Sequence, residues 1–157
     1  MKSILGKIKN NNGHLIIFSL FMIPLLFISC GKSSSNSTTA NAPHNFVNYT
    51  GAFMKTDSTN SVASGTVTGT FDQTNSQLTY NVTWHSLSSM PIAMHFHDNG
   101  PVIISITGYP VATDQTMAGT ASFSSTQTTD LEAGRIFVMI HTVNYPGGEI
   151  MAHLVKQ

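Results

Sequence analysis

Apolar and polar residues alternate one by one along much of the chain. In QLTYNVTWHSL, Leu78, Tyr80, Val82 and Trp84 fall on one face, and Thr79, Asn81, Thr83 and His85 on the other. A period of two marks a β-strand with one buried face. Upstream, ASGTVTGTFD supplies a hairpin partner, and DQTNSQ between them has the Asp and Asn content of a connecting loop. The same patterning predicts strands at FVNYTGAFMK (46–55), PIAMHFH (91–97), PVIISI (101–106), TMAGTASFS (116–124), RIFVMIHT (135–142) and EIMAHLV (149–155). Pro146, Gly147 and Gly148 make the turn between the last two. One short helical turn is expected at TTDLEAG, with Thr129 or Asp130 capping its start and Gly134 its end. Seven to eight short strands separated by turns predict an all-β fold, a single antiparallel β-sandwich or Greek-key-like barrel.

The N-terminal part breaks this rhythm. Lys2, Lys7 and Lys9 precede the uncharged apolar run LIIFSLFMIPLLFIS at 15–29, which stops at the single cysteine, Cys30. A bilayer-spanning helix needs roughly 20 such residues, and Pro24 interrupts the run, so a cleaved export signal over 1–29 is the expectation. FISCG resembles a bacterial lipobox, which implies that Cys30 is lipidated and becomes the mature N-terminus. The alternative is a buried free thiol at the end of an uncleaved anchor. Lipidation would consume a thiol that has no partner for a disulfide. The stretch that follows is rich in Ser, Thr, Asn and Ala and cannot build a core, so residues 30–45 read as a tether and 46–157 as the folded domain. His44 belongs to that tether and reads as solvated. The expected setting is the bacterial cell envelope, with the domain held by lipid and facing the periplasm or the cell exterior.

Charge narrows the function. From residue 46 onward Lys55, Arg135 and Lys156 face Asp57, Asp72, Asp98, Asp114, Asp130, Glu132 and Glu149, so the domain is mildly acidic although the whole chain is neutral. It has no basic surface to follow a phosphate backbone, which argues against nucleic acid. There is no Gly-x-Ser-x-Gly nucleophile, and no catalytic cysteine once Cys30 is lipidated. The carboxylates are scattered, and Gly65, Gly69, Gly147 and Gly148 read as strand and turn glycines.

The remaining chemistry lies in PIAMHFHDNGPV. His95 and His97 flank Phe96, so in a strand both imidazoles project from the same face. They read as metal ligands, as a hydrogen-bonded structural pair, or as two residues on a solvated face. His85 alternates outward from Trp84 and reads as solvated.

AMHFHDNGPVIISI followed by LEAGRIFVMIHTVNYPGGEIMAHL resembles the CHRD domain, named after chordin and common in exported bacterial proteins. The resemblance rests on Ala93, His95, His97, Gly100, Pro101, Val102, Phe137, Val138, His141, Thr142, Pro146, Gly148 and Glu149, and covers most of 46–157. It implies a β fold and a histidine set without a defined reaction. The closing strand departs from the family's Arg-Gly-Gln-Leu, reading Met151, Ala152, His153 and Leu154 instead.

A looser similarity links His95, His97 and His141 to the copper ligands of the copper–zinc superoxide dismutase sandwich. The chain has no histidine from 98 to 140, so the bridging ligand and zinc site of that enzyme are missing. The family layout would bring His141 beside His95 and His97, with His153 or Glu149 as further donors, for copper or zinc. Met139 shares the parity of His141, and Met151 that of His153, so thioethers suited to Cu(I) are at hand. Two function classes follow. One is a non-catalytic module for a protein or polysaccharide partner; the other is a copper or zinc protein with dismutase-like chemistry.

Overall fold

Trp84, Tyr49, Phe71 and Phe96 are almost wholly shielded from solvent, and the strands that carry them wrap around one interior. The computed structural model describes residues 43–157; the expected leader, Cys30 and the tether up to residue 42 lie outside the described residues. The elements run β1 (Phe46–Lys55), β2 (Ser64–Asp72), β3 (Gln77–His85), β4 (Pro91–Asp98), β5 (Val102–Ser105), β6 (Gln115–Ser122), α1 (Ser125–Glu132), β7 (Ile136–Thr142), β8 (Ile150–His153) and β9 (Val155–Lys156). The strands form one antiparallel sheet in the order β5-β4-β7-β8-β1-β2-β3-β6, with β9 added on β1, and it curls into a nearly closed barrel.

The alternation in the sequence decides which side faces in. Leu78, Tyr80, Val82 and Trp84 of β3 are buried against Val67 and Phe71 of β2 and Met94 and Phe96 of β4. Each large apolar side chain removed from water contributes about 1.5–3 kcal/mol, so a one-residue slip of any strand would forfeit several such terms at once. Trp84 buries its ring and still satisfies its indole N–H on the Ala112 carbonyl at 2.9 Å.

β1 ties the two halves of the sheet together. Phe46 to Phe53 pair with β2, whereas Met54 and Lys55 at its far end pair with Met151 and Ile150 of β8. Where one strand was expected over 149–155, there are two. Leu154 turns its N–H to the Ile136 carbonyl of β7, and pairing with β1 resumes at Val155. Gly51 sits at this crossing, where a Cβ would lie 2.1 Å from the His153 carbonyl oxygen, so only a glycine admits the chain here.

Two local expectations are corrected. The helix begins earlier than Thr129 or Asp130. Ser124 is its N-cap, accepting the Gln127 N–H while the Gln127 side chain accepts the Ser124 N–H. Asp130 lies inside the helix, buried and paired with Arg135, and Gly134 follows with a φ of 70°. His44 is not simply solvated either. It stacks on Phe46 and bonds through Nδ1 to the Asp72 carboxylate at 2.5 Å, which extends the ordered domain slightly ahead of β1.

Candidate metal centre

β4 and β7 lie side by side in a register that sets Ala93 opposite His141, His95 opposite Met139 and His97 opposite Phe137. Directly opposed residues share a face, so His95, His97 and His141 gather on the outer side of the sheet. One ring nitrogen from each lies within 4.8 Å of the others. The ring centroids form a small triangle, with His95–His141 at 5.0 Å, His95–His97 at 5.7 Å and His97–His141 at 5.9 Å.

Two turns orient these rings. The β4–β5 turn places the Gly100 carbonyl 2.7 Å from His97 Nδ1. Asn99 and Gly100 both take positive φ to form it. The β7–β8 turn places the Pro146 carbonyl 2.9 Å from His141 Nδ1. Each Nδ1 therefore donates its proton to a carbonyl, and each Nε2 keeps a lone pair. Backbone carbonyls fix ligand histidines in this way in many metal sites.

His97 is only 6% exposed, lies flat on Phe137 at 5.0 Å, and its buried Nε2 has no hydrogen-bond partner. Leaving a buried polar atom unpaired costs about 1–3 kcal/mol, a cost that binding a cation would remove. His95 Nδ1 stands 3.2 Å from His141 Nε2. Burial first, then repulsion from His141 and His97, holds His95 below its ordinary pKa and keeps its ring neutral. Imidazole nitrogen is the donor type that suits Cu(II) and Zn(II).

Glu149 does not join this group. Its carboxylate is fully buried and carries four donors: the Ser61 hydroxyl, the Ser88 N–H, the Ser88 hydroxyl and the Thr142 hydroxyl. Burial alone would raise its pKa, but these hydrogen bonds outweigh burial and lower it. It holds three connecting segments together, and no lone pair is left for a metal. Sequence reasoning missed Ser61 and Ser88 because a hydroxyl in a loop carries no signal of which distant carboxylate it will meet; Thr142, the last residue of β7, was named only as part of the family pattern and not as a partner of Glu149.

His153 stands one strand away. It faces Phe137 at 5.0 Å and directs Nδ1 to the Gly134 carbonyl at 3.2 Å, outside the triangle. His85 is exposed on β3, near Asp114. The orienting carbonyls of Gly100 and Pro146 were also missed, although the Gly and Pro turns just after His97 and His141 were a usable signal.

A family model described as the CHRD domain matches residues 46–154, from the start of β1 past the end of β8. No curated protein and no solved structure gives a match.

Proposed function

The chain belongs to the CHRD-domain family, and from that premise we propose that it is an exported, lipid-anchored binding module whose ligand is a transition-metal ion held by His95, His97 and His141. The observation that carries this is the convergence of three imidazoles, two oriented by backbone carbonyls and one with a buried, unpartnered Nε2. A purely structural cluster would be expected to use that nitrogen. Copper or zinc fits the donor set. Membrane attachment through Cys30 and the envelope location rest on the leader, the lipobox-like stretch and the tether composition.

The protein should bind one Cu(II) or Zn(II). Calorimetric titration and metal analysis test this, together with single alanine substitutions of His95, His97 and His141. Each substitution should weaken binding strongly, and His85→Ala should not. Wild-type affinity weaker than about 10 μM, roughly −7 kcal/mol, would leave the histidines a structural role and the module a protein or polysaccharide partner.

A second function is supported by the count of ligands. Three donors leave a coordination position open, which a copper ion needs for redox exchange with superoxide. Copper-loaded protein that consumes superoxide no faster than free copper rules this out.

A further inference from the structure

A second donor set lies on the same outer face of the sheet. Register places His95 opposite Met139, Met139 opposite Met151, and Met151 opposite Met54. Three thioethers thus stand in one row across β7, β8 and β1, beginning beside the histidine triangle. Opposed side chains on a sheet have Cβ atoms about 4.5–5.5 Å apart, well within reach of a flexible methionine. Met139 is committed at the turn: a Cβ on Gly148 would fall against its sulfur, so that thioether packs on the β7–β8 turn. Met54 is 66% exposed and Met151 half-buried, so both thioethers lie at the surface of this face.

His153 completes the set. It is two residues from Met151 and therefore on the same face. Its Nδ1 is tied to the Gly134 carbonyl, which leaves Nε2 as the available lone pair. Met54, Met151 and His153 line one shallow groove, whose remaining walls include Gly51, Ala52 and Val155 and hold no charged side chain. Two thioethers and one imidazole in a groove with no side-chain carboxylate suit a soft monovalent cation better than hard or strongly hydrated ions.

We propose that Met54, Met151 and His153 form a second metal site that takes Cu(I), separate from the three-histidine centre. The backbone prepares it. Gly51 lets the His153 backbone pass close to β1, and Met151 and His153, two residues apart on β8, leave it on the same face. The proposal does not depend on the three-histidine centre binding metal.

The test uses the full chain in detergent, with methionine labelled on its ε-methyl groups and titrated with Cu(I) under anaerobic conditions against a chromophoric Cu(I) chelator. The Met54 and Met151 methyl resonances should shift, while those of Met90 and Met117 stay in place. In the triple variant His95→Ala, His97→Ala, His141→Ala the same two resonances should still shift, with one Cu(I) bound. Adding Met54→Leu and Met151→Leu, close in volume to the originals, should then abolish Cu(I) binding. Met54→Leu alone, at an exposed position, added to the same triple variant should weaken Cu(I) binding at least tenfold. Cu(I) binding that leaves the Met54 and Met151 resonances unmoved, or no loss of affinity on adding Met54→Leu to the triple variant, would overturn the proposal. Loss of Cu(II) and Zn(II) binding with these methyl shifts intact would instead count against the three-histidine centre alone.

Discussion

His95 Nδ1 and His141 Nε2 stand 3.2 Å apart, although 46 residues separate them along the chain. Because His141 Nδ1 already donates to Pro146, the proton in this contact sits on His95. Moving it to the other nitrogen of the partly exposed His95 ring would turn the contact into two lone pairs facing one point. The pair is thus joined by a hydrogen bond that a cation can replace at low cost.

Metal should therefore stabilise the fold. A ligand at a hundred times its Kd adds about 2.7 kcal/mol, so saturating Zn(II) should raise the midpoint of thermal unfolding by several degrees. Chelator should reverse the rise, and His97→Ala should eliminate it. An unchanged midpoint in wild type, followed by calorimetry, would contradict the centre.

Glu149 is expected to matter for stability and not for metal. Glu149→Gln keeps the shape but removes the charge that four donors are arranged around, with an expected loss of about 3 kcal/mol. Its carboxyl is held below the ordinary value in the folded state. Its contribution is therefore complete above the unfolded pKa of about 4.3 and disappears as pH falls through the lower folded value. Denaturant titrations from pH 6 downward should show wild type losing stability in that window more steeply than Glu149→Gln.

Gly51→Ala tests the crossing of β8 and β9 over β1. The added methyl would meet the His153 carbonyl, which is backbone and cannot swing aside. Overpacking of this kind costs about 1–3 kcal/mol, and equilibrium unfolding should report it. Gly147→Ala, where a Cβ would meet nothing, should cost much less.

Ser124→Ala should destabilise by about 1 kcal/mol, because it removes the helix cap and its reciprocal bond with Gln127. Thr129→Ala, inside the helix and exposed, should be close to neutral. The reverse order, measured by chemical denaturation, would restore the cap to the position expected from sequence.

Cys30→Ser should leave an unprocessed precursor or release the domain from membranes. Membrane fractionation and mass spectrometry of the N-terminus check this, and processing identical to wild type would contradict lipidation.

β1 is legible in FVNYTGAFMK to the residue, and β3 nearly so, because strand alternation is a local pattern that burial then enforces. The shared face of His95 and His97 is legible for the same reason: two residues apart on a strand means one side. The helix start was less legible, since Ser124 and Gln127 adjoin a β-patterned run and their capping bonds appear only once that run has ended. Nothing local could say that Glu149 would meet Ser61 and Ser88, 88 and 61 residues away, and leave the metal donors; Thr142, seven residues away at the end of β7, meets it only once the β7–β8 turn has formed. Local alternation alone sets which side chains leave each strand on which face. Which faces meet is a matter of long-range packing, because the register of β4 on β7, and of β8 on β1, follows from burying one common interior, a property of the whole sheet that no single stretch contains.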